Sequence, residues 1–399
     1  MQAQTDAAYT ELYSSLIQEG VSASSLKLKD FPETGRGLAA TRTISPGETL
    51  LSIPFRHLIN LKTIAKSLGT DWKHSTCPAH AAIAVHILHH RRLHENSSLK
   101  HYIHSLPRAE DLQGIPLTWE TQECEYLPVS TQTKLAQQRL LLSNHYSLAQ
   151  VLISNTPVYA DLNLTFELFR WAWLIVNSRS IYQQLSTQST IDDNYTCAAL
   201  VDMLNHAPSN VPHAKLLYDK SGLTVEAQSS YVEGEEVCIS YGAHGNDFLV
   251  LEYGFRVQQN ADNSLVLDDL ILADLSDAHG EQLREMGYFG GYTTDHLGRA
   301  SFRVEVALRV ALLEQDELVV DGQALRRVMQ YAQGLNSGRD TEAAVKERLT
   351  RLLDMVVARS TSAIESMPNT MSKSVKDMIS VLHQDEIAIA EHGLEHLKL

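Results

Sequence analysis

Apolar residues recur along this chain at two spacings, and the spacing switches where the architecture is expected to switch. Residues 8–20 put Tyr9, Leu12, Tyr13 and Leu16 on one face, which predicts a short helix. Leu26-Lys27-Leu28 is followed by a turn-rich stretch, Pro32-Glu33-Thr34-Gly35-Arg36-Gly37. Leu38–Arg42 reads as a strand. Ser45-Pro46-Gly47-Glu48 then turns the chain into Thr49–Pro54, a strand ended by its proline. From about residue 60 the pattern becomes helical, most clearly over 79–93 and 131–153. Residues 165–181 are helical again, with Phe166, Phe169, Trp173 and Val176 as an apolar stripe.

After His206 the period returns to two. Ala214–Tyr218 and Leu223–Ala227 flank Asp219-Lys220-Ser221-Gly222, a hairpin turn. Val232-Glu233-Gly234-Glu235 turns into a predicted strand at Val237–Tyr241. Beyond about residue 257 the chain is mostly helical. Phe302–Leu313 and Ala343–Val357 are amphipathic, the latter with Val345, Leu349, Leu352 and Val356 on one side. Asp340 is a candidate cap for that helix, and a last helix is expected over 373–397. The pattern is α+β: a β-rich lobe interrupted by helices, then an all-helical lobe.

At 399 residues the chain exceeds one ordinary domain, and 44% hydrophobic content suffices for real cores. A formal charge of −15 argues against a protein that holds nucleic acid by its phosphates. It suits a surface that attracts basic protein segments, and it equally serves plain solubility. Cys77, Cys124, Cys197 and Cys238 show no metal-ligand spacing and no disulfide framework, which points to a reducing compartment, cytoplasmic or nuclear. The N-terminus is neither a signal nor a transit peptide, no apolar run is long enough to span a membrane, and the terminal Leu-Lys-Leu is discounted as a peroxisomal address. His86 and His90 have the i, i+4 spacing of two ligands on one helix face. No acid lies between them as a metalloprotease needs, so helix-packing or solvated histidines are the expectation, with no metal.

Two blocks concentrate the candidate chemistry. The first is Leu200-Val201-Asp202-Met203-Leu204-Asn205-His206. The second is Glu235-Glu236-Val237-Cys238-Ile239-Ser240-Tyr241-Gly242, followed by Asn246 and Tyr253-Gly254-Phe255. Gly35-Arg36-Gly37 gives a bend where backbone can approach a ligand; by itself it is just a turn. Asn205-His206 can contact a ligand or simply end a strand. Tyr241 can project into a cleft, and Tyr253 and Phe255 can wall an apolar channel or sit in a core. The joint order and spacing of these features carry more than any one of them.

In that order and spacing the chain resembles a SET-domain methyltransferase of the Rubisco large-subunit methyltransferase class. That class includes the actin-histidine methyltransferase and the fungal ribosomal-protein lysine methyltransferases. The likeness covers 33–58, resumes at 171–181 with Asn177-Ser178-Arg179, and is sharpest at 196–256. It implies a SET-domain β-fold with a pseudoknot, an exception to the usual unknotted rule. The implied division is an N-terminal helix at 1–21, a SET domain at 22–256 with a helical insert at about 60–165, and a helical, substrate-binding-like lobe at 257–399.

The resemblance also implies roles. S-adenosylmethionine would be the donor. Gly35, Arg36 and Gly37 would approach it by their backbone, Arg179 would meet its carboxylate, Asn205 and His206 would bind its amino-acid and adenine portions, and Phe255 would pack beside it. Tyr241 would be the active-site tyrosine. Ser178, Asp202, Ile239 and Tyr253 would line the acceptor channel. In-line displacement needs amine, methyl and sulfur collinear, with the amine neutral and a hydroxyl or carbonyl near the moving carbon. Two departures bear on the acceptor. Ile181 stands where lysine-modifying members have an aromatic residue. No cysteine follows Cys238, so the zinc cluster of many histone-directed enzymes is missing. The implied activity is lysine N-methylation of a non-histone protein. Histidine methylation, or a repurposed SET-like fold serving as a binding module or acting on a small molecule, are the rivals.

Overall fold

The computed structural model describes residues 2–68, 77–185, 194–318 and 322–398, so Leu399 of the terminal tripeptide lies outside the described residues. The chain forms two compact units. The first comprises 1–118, 136–243 and 252–254; the second comprises 119–135, 244–251 and 255–399.

In chain order, the strands of the first unit are β1 (Leu26–Phe31), β2 (Gly35–Ala40), β3 (Thr49–Pro54), β4 (Leu58–Ile59), β5 (Ser180–Tyr182), β6 (Tyr195–Ala198), β7 (Lys215–Tyr218), β8 (Gly222–Glu226) and β9 (Glu236–Val237). They form three antiparallel sheets, ordered β1-β2-β9, β3-β8-β7 and β4-β6-β5. The strand expected at Leu38 begins at Gly35, because β1 pairs the whole Gly-x-Gly bend, from Leu26 opposite Ala40 to Phe31 opposite Gly35. Leu38, Ala39 and Ala40 are fully buried, so β2 is covered on both faces. The β7–β8 hairpin forms as the alternation predicts. Its Gly222 has φ 152°, and an added Cβ there would lie 2.0 Å from the Ile53 carbonyl oxygen, so only glycine fits against β3.

The helices before the first crossing are α1 (Gln2–Gln18), α2 (Leu61–Leu68), α3 (Ala79–Leu93) and α4 (Lys100–Ser105). α3 is buried from Ala79 through His89, and its alanines let it pack closely on α7 (Phe166–Arg179). α5 (Thr121–Cys124) belongs to the second unit, and α6 (Val129–Asn155) passes from the second unit into the first. Thr165 caps α7 by accepting from the Leu168 amide at 3.3 Å. The expected helix over 165–181 stops at Arg179, because Ser180–Tyr182 is taken up as a strand against β6.

The histidines of α3 pack inside the protein, as expected. The His80 ring stacks on Trp173 at 4.4 Å, His86 Nδ1 is 3.0 Å from the Tyr159 hydroxyl, and His90 Nδ1 is 3.0 Å or less, at 2.9 Å, from Ser97 Oγ. Burial pushes His80 and His86 down to about 3, so both rings are neutral.

The second unit holds most of α8 (Asn246–Tyr253), the short β10 (Ser264–Val266) and β11 (Thr293–Asp295) hairpin, α9 (Asp268–Ala273), α10 (Asp277–Glu285), α11 (Phe302–Ala311), α12 (Gln323–Ala332), α13 (Glu342–Ser366) and α14 (Lys373–Lys398). The predicted stripe Val345, Leu349, Leu352 and Val356 is buried in a core shared with Ile389 and Ala390. Asp340 does not cap α13. Thr341 holds the N-cap position without a side-chain bond, and Asp340 lies 3.8 Å from Arg327. Asn246 is a buried hub: its Nδ2 donates to the Val257 carbonyl and Asp385, and its Oδ1 accepts from the Val257 amide and Asn260.

Candidate active site

The block at 200–206 is bent by its own backbone. Leu200 sits at φ 71°, a costly conformation for a branched residue, and the next three residues make a tight 3-10 turn. That turn buries Val201 and Leu204.

The strand predicted at Val237–Tyr241 is regular only at Glu236–Val237. Beyond it the chain runs between two parts of a single loop. The Ile239 amide donates to the Asn205 carbonyl at 2.9 Å and the Ile239 carbonyl accepts from Ala207 at 2.9 Å, while the Cys238 carbonyl accepts from the Ala214 amide at 2.8 Å. His206 and Ala214 both bridge Ile239 in parallel, so the 208–213 connection must pass over this segment. This threading fixes Tyr241. Its amide donates to His206 Nδ1 at 3.0 Å, which makes Nδ1 an acceptor and leaves the proton of the neutral ring on Nε2. Its hydroxyl donates to the Leu204 carbonyl at 2.8 Å.

Tyr241 forms part of the wall of a cavity of about 330 Å³. Six sequence-predicted residues meet there: Ser178, Arg179, Asp202, Ile239, Tyr241 and Tyr253. The rings of Tyr241 and Tyr253 stand 4.9 Å apart. Burial raises the Tyr241 phenol far above its ordinary range, helped by Tyr253, and burial raises Tyr253 to about 12. Both are neutral hydroxyls at physiological pH. The Tyr241 proton is committed to a carbonyl, so toward the cavity the hydroxyl is an acceptor by its oxygen lone pairs.

Asp202 brings a buried carboxyl to the cavity beside the Arg179 guanidinium, its side chain only 1% exposed. The Tyr102 hydroxyl donates to its Oδ2 at 3.0 Å, and Arg179 donates to its backbone carbonyl at 3.0 Å and lies 3.6 Å from Oδ2. Burial raises the carboxyl's pKa, and Arg179 and then Tyr102 pull it back. Ser178 Oγ is turned inward, donating to the Leu174 carbonyl at 2.8 Å.

Of the remaining predicted residues, Gly35, Arg36, Gly37, Asn205 and His206 fall into a second cluster. Gly35, Arg36 and Gly37 open β2, and Asn205 Nδ2 donates to the Arg36 carbonyl at 3.1 Å. His206 links the clusters through its bond to Tyr241. Phe255 is half-buried and belongs to the second unit. Sequence reasoning passed over Leu216 and Tyr218, which line the cavity from β7; their i, i+2 spacing in a predicted strand was the available signal. It also passed over Tyr102, which no motif marks.

Comparison with known proteins bears on this geometry. The family profile described as SET domain matches residues 35–242, and that of the ribosomal lysine N-methyltransferase 2 C-terminal domain matches 263–396. A ribosomal lysine N-methyltransferase of Schizosaccharomyces pombe is 26% identical over 93% of this chain and 93% of its own. The actin-histidine N-methyltransferase of Xenopus tropicalis is 29% identical over 63% of this chain and 44% of its own. A Rubisco LSMT structure bound to AdoMet superposes with a TM-score of 0.70 at 19% identity, covering 98% of this chain and 91% of that one.

Proposed function

This chain belongs to the SET-domain family, and on that footing we propose that it is an S-adenosylmethionine-dependent protein N-methyltransferase whose acceptor is a lysine of a ribosomal protein. The observation that carries the activity is the Tyr241 phenol in the cavity wall, its proton held by Leu204 beside the Asn205-His206 corner. The ribosomal acceptor rests on the likeness to the Schizosaccharomyces pombe enzyme along nearly the whole chain and on the match at 263–396.

The residues suit the donor. Arg179 keeps a buried Nε without a hydrogen-bond partner, a cation suited to a carboxylate. Nothing stands within 4 Å of where a Cβ at Gly35 would be, so the backbone there is open to approach. Gly35, Arg36, Gly37, Arg179, Asn205 and His206 would hold the donor, which supplies an electrophilic methyl group. The chain's own task is placement and solvation. Ile181, Leu204, Leu216 and Ile239 give the acceptor cavity an apolar stretch of wall, which favours the neutral amine there. Asp202 offsets that wall with one buried carboxyl that draws a cationic side chain inward. The Tyr241 oxygen faces its lone pairs where partial positive charge develops. The protein would work where its substrate is made or assembled, in cytoplasm or nucleus.

Incubating the protein with labelled donor and salt-washed ribosomes, then mapping the labelled peptide by mass spectrometry, tests the reading. Label on a lysine of a ribosomal protein is the expected result. Label on histidine would transfer the assignment to the second acceptor class, for which Ile181 leaves room. Absence of both label and donor binding would leave a SET fold used only for recognition.

A further inference from the structure

Glu236 has no role in the scheme above, yet three segments of the cofactor-facing cluster converge on its carboxylate. Asn205 Nδ2 donates to Glu236 Oε1 at 2.7 Å and to the Arg36 carbonyl at 3.1 Å. The Thr34 hydroxyl, in the turn between β1 and β2, shares its proton between both Glu236 oxygens, at 2.8 and 2.7 Å. A Cβ at Gly37 would lie 2.6 Å from Asn205 Nδ2 and 2.6 Å from Glu236 Oε1, so the absent side chain is what lets the amide and the carboxylate meet. Among the described residues no cation lies within salt-bridge distance of Glu236. Its charge is met by hydrogen bonds alone.

This arrangement decides which way the Asn205 amide points. A backbone carbonyl and a carboxylate are acceptors only, so both must face the NH2 group. With both N–H bonds committed, Asn205 keeps a single free function, the acceptor Oδ1. We infer that Glu236 is a positioning residue for the methyl donor: it locks the Asn205 amide so that Oδ1, and not NH2, is offered to the donor, which selects a cationic ammonium over an anionic group at that point. A glutamate does this better than a glutamine. Glutamine carries an NH2 of its own and can present a donor to Asn205, which would let the amide turn over. Arg179 serves the opposite sign, so the two residues would read the two ends of a zwitterionic amino acid. The inference rests on the donor assignment made above.

Three variants test it by calorimetry with S-adenosylmethionine, with folding checked by circular dichroism. Glu236→Ala should weaken donor binding about tenfold, the size of one charge-assisted hydrogen bond, and Glu236→Gln should recover part of that loss. Removing Asn205 first should abolish the effect: in an Asn205→Ala background, Glu236→Ala should change donor affinity little further. Equal losses in both backgrounds would show that Glu236 does not act through Asn205, and unchanged affinity in Glu236→Ala would show that it does not act at all. A wild-type protein that binds no donor would refute the donor assignment and the positioning role with it, whereas wild-type binding left unchanged by Glu236→Ala would refute the positioning role alone.

Discussion

At the scale of single residues the proposed chemistry rests on the Tyr241 hydroxyl. Its single proton is spent on Leu204 and burial keeps it from ionising, so in the proposed transfer it would act by its lone pairs and not as an acid or base. Tyr241→Phe should lower the methyl-transfer rate by roughly a hundredfold or more, with donor affinity measured by calorimetry little changed. A fully active variant would remove the hydroxyl from the reaction. His80 and His86 make a second prediction. Their pKa values in the folded protein are depressed to about 3, while in the unfolded chain each titrates near its ordinary value of about 6.5. Between those limits the unfolded state binds more protons, so stability rises with pH across the window and falls as acid is added. The melting temperature should therefore drop as pH is lowered from about 6.5 towards about 3, and His86→Gln should flatten that slope. An unaltered slope would show that His86 is not the group responsible. Tyr241 was singled out by the joint order of the 200–206 and 235–242 blocks that carry the family resemblance, and it does line the cavity. Tyr102 was not, because its bond to Asp202 spans 100 positions and leaves no local pattern.

Elements were readable where side-chain periodicity and burial agree. α3 matches its expected bounds of 79–93, and the stripe on α13 is the one that packs. They were misread where a tertiary partner sets the boundary. α7 ends at Arg179, two residues short of its expected end, because Ser180–Tyr182 pairs with β6. The expected strand through Tyr241 is irregular because its partners are two short pieces of one loop and not a continuous neighbour. The β7–β8 hairpin was plain from its turn residues, and it carries the clearest steric demand. Gly222→Ala would drive a methyl group into the Ile53 carbonyl and strain a φ of 152°. We expect a loss of about 1–3 kcal/mol, read as a shift in the urea midpoint; an unchanged midpoint would mean that β3 yields more easily than its geometry implies.

Charge belongs to the molecule as a whole. With 48 acidic against 33 basic residues, the protein carries a net negative field whose range is set by screening, and a basic substrate segment would be drawn to it. Raising salt should therefore lower kcat/KM on a lysine-rich substrate much more than it lowers kcat. A salt-independent ratio would mean that recognition is confined to short-range contacts. The passage of residues 237–241 beneath the 208–213 connection reaches further. A refolding chain cannot complete this corner by local collapse, because residues 238–239 must be seated between 205–207 and Ala214 with the connection closed over them. Recovery of enzymatic turnover should therefore trail the return of helical signal.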